Sequence, residues 1–196
     1  MVSRMNAIEK RLLSTDQELF TLANVLAPAE CDDLIRRAEA HGFTEAPITV
    51  GPNKFMMAPD IRNNRRVMQD DPALAALLWP RIAAHVPSPL GAYRPVGLNE
   101  RFRYYRYTPG QQFDWHRDGA YVRTPEEQSL LTLIFYLNEA CIGGTTDFMF
   151  VNDDELHVAP RRGMALLFSH PMYHRGAPVI EGTKYVLRTD VMYRRG

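Results

Sequence analysis

The sequence predicts a mainly β domain, a two-sheet barrel or jelly roll with helices packed on the outer face of one sheet. Three observations predict it. The chain has 196 residues and 45% hydrophobic content, enough for one sizeable core and too few for two independent large domains. From about residue 99 onward, short runs of alternating, β-branched and aromatic residues follow one another between Pro-Gly, Gly-Gly and Arg-Gly punctuation. Before that point the texture is different, with two stretches of helical periodicity. The expected organisation is a single domain over 1–196, with an α/β entry segment over 1–98 and a β core over 99–196.

The elements follow in chain order. Residues 18–26 (ELFTLANVL) read as a strand, after which Pro28, Ala29 and Glu30 open a helix that runs to about His41 and stops at Gly42. From residue 48 to 66 the pattern gives way to GPNKFMMAPDIRNNRR, which is loop chemistry over a length that usually has a purpose. A second helix is expected over 72–85. Leu74, Leu77, Leu78 and Ile82 are spaced for one buried face, and Pro80 is expected to kink or interrupt it. The two helices are expected to pack together on one sheet. Candidate strands of the core are 101–107, 113–117, 130–137, 145–151, 155–158, 164–168, 174–179 and 184–193. The sequence holds neither an internal repeat nor a low-complexity tract.

Charge narrows the function classes. Lys plus Arg and Asp plus Glu each total 23, so no net positive charge draws the chain to a phosphate backbone or an anionic membrane. Nucleic acid is not an expected partner. The N-terminal stretch lacks an apolar run of signal-peptide length and nothing later approaches a membrane span, so a cytoplasmic protein is expected. Cys31 and Cys141 are too few for a disulfide framework and too far apart for a metal knuckle, and both read as reduced thiols.

The chemistry concentrates in a few positions. His116 and Asp118 form a His-x-Asp pair, and residues two apart on a strand project to the same face. A third metal ligand has to come from elsewhere, and His174 lies far downstream on an expected neighbouring strand; His170, four residues earlier, is the alternative. Two imidazoles and a carboxylate leave open positions on a metal, the arrangement of non-haem Fe(II) oxygenases. On the pair alone, a surface histidine beside a turn-forming aspartate is the favoured reading. The terminal strand adds weight. Tyr185, Leu187, Val191 and Tyr193 share one face, and Lys184, Val186, Arg188 and Asp190 share the other. Those charges face either solvent or a polar barrel interior beside His174, where Lys184 can bind an anion. Residues 131–137 split the same way, with Thr132, Ile134 and Tyr136 opposite Leu131, Leu133, Phe135 and Leu137.

Taken in order, Tyr107-Thr-Pro-Gly, His116-Arg-Asp118, Leu133-Ile-Phe-Tyr-Leu-Asn138, Gly143-Gly-Thr-Thr146, Pro160-Arg-Arg-Gly163, His174 and the run from Gly182 to Tyr193 resemble the prolyl 4-hydroxylase-like branch of the Fe(II)/2-oxoglutarate oxygenases. The resemblance spans about the last hundred residues. It implies a double-stranded β-helix, or cupin-like, core. It implies Fe(II) as cofactor, 2-oxoglutarate and O2 as co-substrates, and His116, Asp118 and His174 as the catalytic iron ligands. By the same likeness Lys184 binds the distal carboxylate of 2-oxoglutarate, with the phenols of Tyr136 and Tyr107 beside it. The intact Asp118 argues against halogenation, which needs that carboxylate missing.

Hydroxylation of an unactivated C–H bond is therefore expected, with a prolyl or other residue of a peptide or protein as the leading substrate. A free amino acid or small metabolite is the alternative, and a non-catalytic jelly-roll metal-binding or sensor protein is the reading from another class. Arg188, Asp190, Arg62 and Asn64 are the candidate substrate contacts, the last two on a 62–65 segment placed to act as a lid. Against this, Arg188 can simply brace Asp118 or Asp190, and the 62–65 segment can be a solvated turn. Oligomeric state is not encoded in any pattern here.

Overall fold

The computed structural model describes residues 7–51 and 54–196. Residues 1–6, part of the stretch read for a signal sequence, and residues 52–53 of the expected long loop lie outside the described residues. Two antiparallel sheets form the jelly-roll core. The larger has ten strands, ordered Glu9–Leu12, Leu19–Ala23, Ala165–Ser169, Glu127–Tyr136, Lys184–Arg195, Arg101–Tyr107, Arg65–Asp70 and Thr44–Glu45, with Val122–Thr124 and Tyr93–Leu98 pairing off that path. The smaller has four, ordered Glu155–Val158, Thr146–Met149, His174–Gly176 and Phe113–His116.

Alternation along the strands of the larger sheet feeds two separate apolar clusters. Leu131, Leu133, Phe135, Leu187, Val191 and Tyr193 point to the helix side, where Cys31, Leu34 and Ala38 of the first helix meet Leu74, Leu78 and Ile82 of the second. Tyr136, Val186, Tyr105 and Tyr107 point the other way and meet Phe148 and Val158 from the smaller sheet. Lys184, Val186, Arg188 and Asp190 of the terminal strand thus face the barrel interior and not solvent.

The helices are anchored by their ends as well as their apolar faces. Helix Pro28–His41 begins with Pro28 at a position where no amide hydrogen is needed, and Glu30 accepts from the Ala27 amide at 2.8 Å. Arg81 of helix Pro72–Ile82 donates to both oxygens of Glu30 at 2.7 and 2.9 Å, tying the two helices across the outer face. Asp71 caps the second helix by accepting from the Leu74 amide at 2.8 Å.

Three expectations about the entry segment are corrected. Of the kink or interruption expected at Pro80, the interruption does not occur: the helix continues to Ile82 and passes into a 3-10 turn over Ala83–His85. Leu77 is not on its buried face but 54% exposed, because the buried stripe runs at four-residue steps through Leu74, Leu78 and Ile82. The 48–66 stretch is not wholly loop. Ile48–Gly51 pairs with Lys54–Met56 as a hairpin, and Arg65–Asp70 joins the large sheet beside Arg101–Tyr107. Lys54–Met56 is exposed throughout, so no inward-facing apolar alternation marks it as a strand.

Candidate active site

The structure brings His116, Asp118 and His174 together. Their ligand atoms all lie within 4.8 Å of one another, the spacing of a group that can hold one metal ion. His116 and His174 are directly opposed in the register of their two strands, and their rings lie 4.2 Å apart between centroids. Asp118 stands just past the end of its strand, where its amide donates to the His170 carbonyl at 3.0 Å and turns the carboxylate toward the imidazoles. Its oxygens lie 3.7 Å from His116 Nε2 and 3.6 Å from His174 Nε2.

Tautomers follow from neighbours that can only accept. His116 Nδ1 is 2.7 Å from the Asp114 carbonyl and His174 Nδ1 is 2.9 Å from the Met172 carbonyl. A carbonyl has no proton to give, so both Nδ1 atoms carry the hydrogen and both Nε2 lone pairs face the centre. Burial and the neighbouring His174 push His116 down to about 3, and burial lowers His174 as well, so both rings stay neutral. Burial alone would raise Asp118; the Arg188 guanidinium beside it and a hydrogen bond from Thr132 outweigh that and keep the carboxylate ionised. Neutral nitrogen donors and an anionic oxygen donor fit a divalent transition metal such as Fe(II).

Both oxygens of Asp118 are held. Arg188 lies 3.1 Å from Oδ1, and Thr132 donates to Oδ2 at 2.6 Å. Because the Thr132 proton is spent on Asp118, Thr132 must accept from His170 Nδ1 at 2.9 Å. His170 Nε2 then accepts from Ser129, 2.8 Å away, and Ser129 accepts from the Tyr121 amide at 2.8 Å. His170 is therefore occupied at both nitrogens and takes a supporting place behind Asp118. No spacing rule links residues 129, 132 and 170 to 118. The polar face of Thr132 and the nearness of His170 to His174 were the available signals.

Lys184 opens the terminal strand on the same inner face and is 2% exposed. Its Nζ sits 5.2 Å from the Tyr107 ring centroid and 5.7 Å from that of Tyr136, and the Tyr136 hydroxyl donates to Thr146 at 2.7 Å. Burial pushes the lysine down to about 8, against smaller upward pulls from Cys141 and Asp147. Gly144, at φ +65°, lets the lysine stem pass: a Cβ there would meet Lys184 Cδ at 3.2 Å.

Arg188 and Asp190 also face inward. Asp190 lies 3.5 Å from Arg188, 3.4 Å from Arg103 and 3.2 Å from the Asn99 amide nitrogen. Arg188 thus braces both aspartates. Arg62 and Asn64 are 5% and 0% exposed, which overturns the solvated-turn alternative for these two side chains. Arg62 Nε donates to Asn64 at 2.8 Å, and its guanidinium lies 4.3 Å from the Phe113 ring centroid and 4.8 Å from that of Tyr105. The 61–64 segment is stitched to the strand bearing His116: Arg62 bridges Phe113, and the Asp114 amide donates to the Ile61 carbonyl at 2.7 Å. Tyr105 was not foreseen as a site residue. Burial alone would raise its phenol, yet Arg62, Arg188 and Arg103 bring it down to about 8.

Asp147, Glu155 and His157 form a second group within 4.8 Å. Arg175 lies 2.8 Å from Asp147 and 3.5 Å from Glu155, supplying the positive charge a cation would bring, so this is an ion-pair network. Trp115 points away from the ligands and stacks on Tyr173 at 5.2 Å. Among the described residues no helix is long and apolar enough to cross a membrane.

Residues 102–189 match the family described as the 2OG-Fe(II) oxygenase superfamily. Among solved structures, the chain is similar to the viral collagen prolyl hydroxylase of Paramecium Bursaria Chlorella virus-1 in its 2OG complex, with 20% identity, TM-score 0.64, and 94% of this chain and 100% of that chain covered. It is also similar to a Pseudomonas putida prolyl-4-hydroxylase at 19% identity and TM-score 0.67, with 92% of this chain and 94% of that one covered. A prolyl hydroxylase from Trichoplax adhaerens, bound to a hypoxia inducible factor peptide fragment, gives 15% identity and TM-score 0.71 over 90% of this chain and 84% of that one. These likenesses show the fold. A search of curated proteins found no match.

Proposed function

We propose that this chain is a 2-oxoglutarate- and Fe(II)-dependent dioxygenase, in keeping with the match of residues 102–189 to the 2OG-Fe(II) oxygenase superfamily, and that it hydroxylates a prolyl or another residue presented in a peptide or protein. The observation that carries the reading is the convergence of His116, Asp118 and His174 on the inner face that also holds the buried Lys184. The peptide substrate is supported by the likeness to the three prolyl hydroxylases, one of them bound to a peptide.

In this reading His116, Asp118 and His174 hold Fe(II). With 2-oxoglutarate and O2, the bound metal supplies the oxidising power that inserts one oxygen atom into a C–H bond and the other into succinate, with release of CO2. The protein contributes position and dryness. The backbone carbonyls of Asp114 and Met172 fix the two imidazole tautomers, and Thr132 and Arg188 fix the carboxylate. Lys184 pairs with the distal carboxylate of 2-oxoglutarate, and burial makes that charge-assisted contact stronger than a surface one. Tyr107 and Tyr136 wall the same recess. Arg188, Asp190, Arg62 and Asn64 line the substrate side, with Arg188 also bracing Asp118. The whole chain acts as one domain, 1–196, with the catalytic core over 99–196.

Anaerobic titration of Fe(II)-loaded protein with 2-oxoglutarate tests the site through the visible metal-to-ligand charge-transfer band. The band is expected in the wild type and lost in His174→Ala; its absence from the first or survival in the second removes the assignment. Mass spectrometry of proline-containing peptides after turnover tests the substrate, and a panel that consumes 2-oxoglutarate without gaining oxygen removes the peptide reading alone.

A further inference from the structure

The inner face carries more positive charge than its own carboxylates neutralise. Arg62, Arg66, Arg103 and Arg188 gather around Tyr105, and Arg66 is pushed down by burial together with repulsion from Arg62, Arg103 and Arg188. Two carboxylates answer them. Asp118 is a metal ligand in the reading above, and Asp190 is shared between Arg103 and Arg188 at 3.4 and 3.5 Å. Arg62 and Arg66 make no ion pair among the described residues. The Nη2 of Arg62 and the Nε of Arg188 are buried with no hydrogen-bond partner. A buried guanidinium donor without an acceptor is costly to leave unpaired, so the fold leaves room in its energetics for an acceptor brought from outside.

We propose that these arginines form a subsite for a carboxylate carried by the substrate, close to the bond that is hydroxylated. The inference rests on the oxygenase reading and deepens it. The location follows from Arg62, which packs on Phe113, the ring stacked 3.6 Å from His116. An anion held by Arg62 therefore lies beside the metal ligands. Guanidinium forks match carboxylates in two-point geometry, and an enclosed setting strengthens the pairing. The carboxylate has two possible sources, the α-carboxylate of a chain-terminal or free amino acid and the side chain of an acidic residue flanking the target in a peptide.

Calorimetry on protein loaded with Mn(II) and saturated with 2-oxoglutarate, under anaerobic conditions, separates them. One probe pair is N-acetylproline against N-acetylprolinamide; the other is acetyl-Glu-Pro-Gly-amide against acetyl-Gln-Pro-Gly-amide. In at least one pair the carboxylate member is expected to bind about tenfold tighter or better, and Arg62→Gln to narrow the gap to about threefold or less. The pair that discriminates names the source. Should Arg62→Gln fail to fold, Arg66→Gln at a partly exposed position takes its place in the same comparison. Equal affinity within both pairs, no binding by any probe, or a preference that survives the substitution overturns the subsite. Carboxylate-selective binding by probes that gain no oxygen with Fe(II) and O2 leaves the subsite standing and counts against the peptide-hydroxylase reading instead.

Discussion

Replacing Lys184 with Met should make the ligand-free protein more stable and the enzyme worse. The lysine is 2% exposed, and burial takes it from 10.5 to about 8. That fall corresponds to about 3 kcal/mol of disfavoured charge at neutral pH, present in the folded state and absent from the unfolded one. Met keeps the apolar stem and removes the ammonium, so urea denaturation at pH 7 should report a gain of up to about 3 kcal/mol. The sign of the pH dependence is fixed. Below pH 8 both folded and unfolded chains carry the proton and the full penalty stands; between 8 and 10.5 only the unfolded chain carries it, so this residue's contribution to stability rises with pH. The wild type should close the gap on the variant over that interval. Binding moves the other way. Loss of a charge-assisted contact of about 1.5–3 kcal/mol should weaken 2-oxoglutarate by about 10- to 150-fold in the anaerobic titration. A variant that is less stable than wild type at pH 7, or that binds 2-oxoglutarate equally well, would refute the picture of an ammonium held in reserve for an anion.

Thr132→Val strips Asp118 Oδ2 and His170 Nδ1 of their shared hydroxyl. It should cost about 1–3 kcal/mol of stability and weaken Fe(II) binding by about 10- to 100-fold, read by denaturation and by metal titration. His170→Ala should keep the charge-transfer band at reduced stability whereas His174→Ala abolishes it, and equal loss of the band in both would reverse the roles given to the two histidines. Gly144→Ala places a Cβ 3.0 Å from Val179 Cγ2 and 3.2 Å from Lys184 Cδ at φ +65°. It should lower stability by about 1–2 kcal/mol and raise the KM for 2-oxoglutarate, checked by melting and by succinate formation.

Where the chain alternates between two buried environments, the sequence was readable. The terminal strand and Glu127–Tyr136 each present one apolar face to the helices and one polar-handled face to the barrel, and the period of two survives in the letters. Edge strands were not readable. Glu9–Leu12 is exposed at every position, and Tyr93–Leu98 contains Pro95 and Gly97, which read as punctuation. At the site, the His-x-Asp spacing marked two side chains because one strand end carries both. Ser129, Thr132 and Tyr105 reach the centre only through pairing between distant strands, as in the opposition of Thr132 to Asp190 and Val186 to Tyr105. Local spacing holds no record of such partners.

The terminal strand lies between Glu127–Tyr136 and Arg101–Tyr107 in the large sheet, and its parity therefore separates two engineering problems. Substitutions at 186, 188 and 190 alter the barrel interior, while those at 187 and 191 alter how firmly the helices dock. Inserting a single residue after Lys184 would exchange the two sets, driving leucine into the cavity and guanidinium under the helices in one event. An insertion of two would keep each set on its own side, so length changes in this strand are expected to be tolerated, if at all, in even steps.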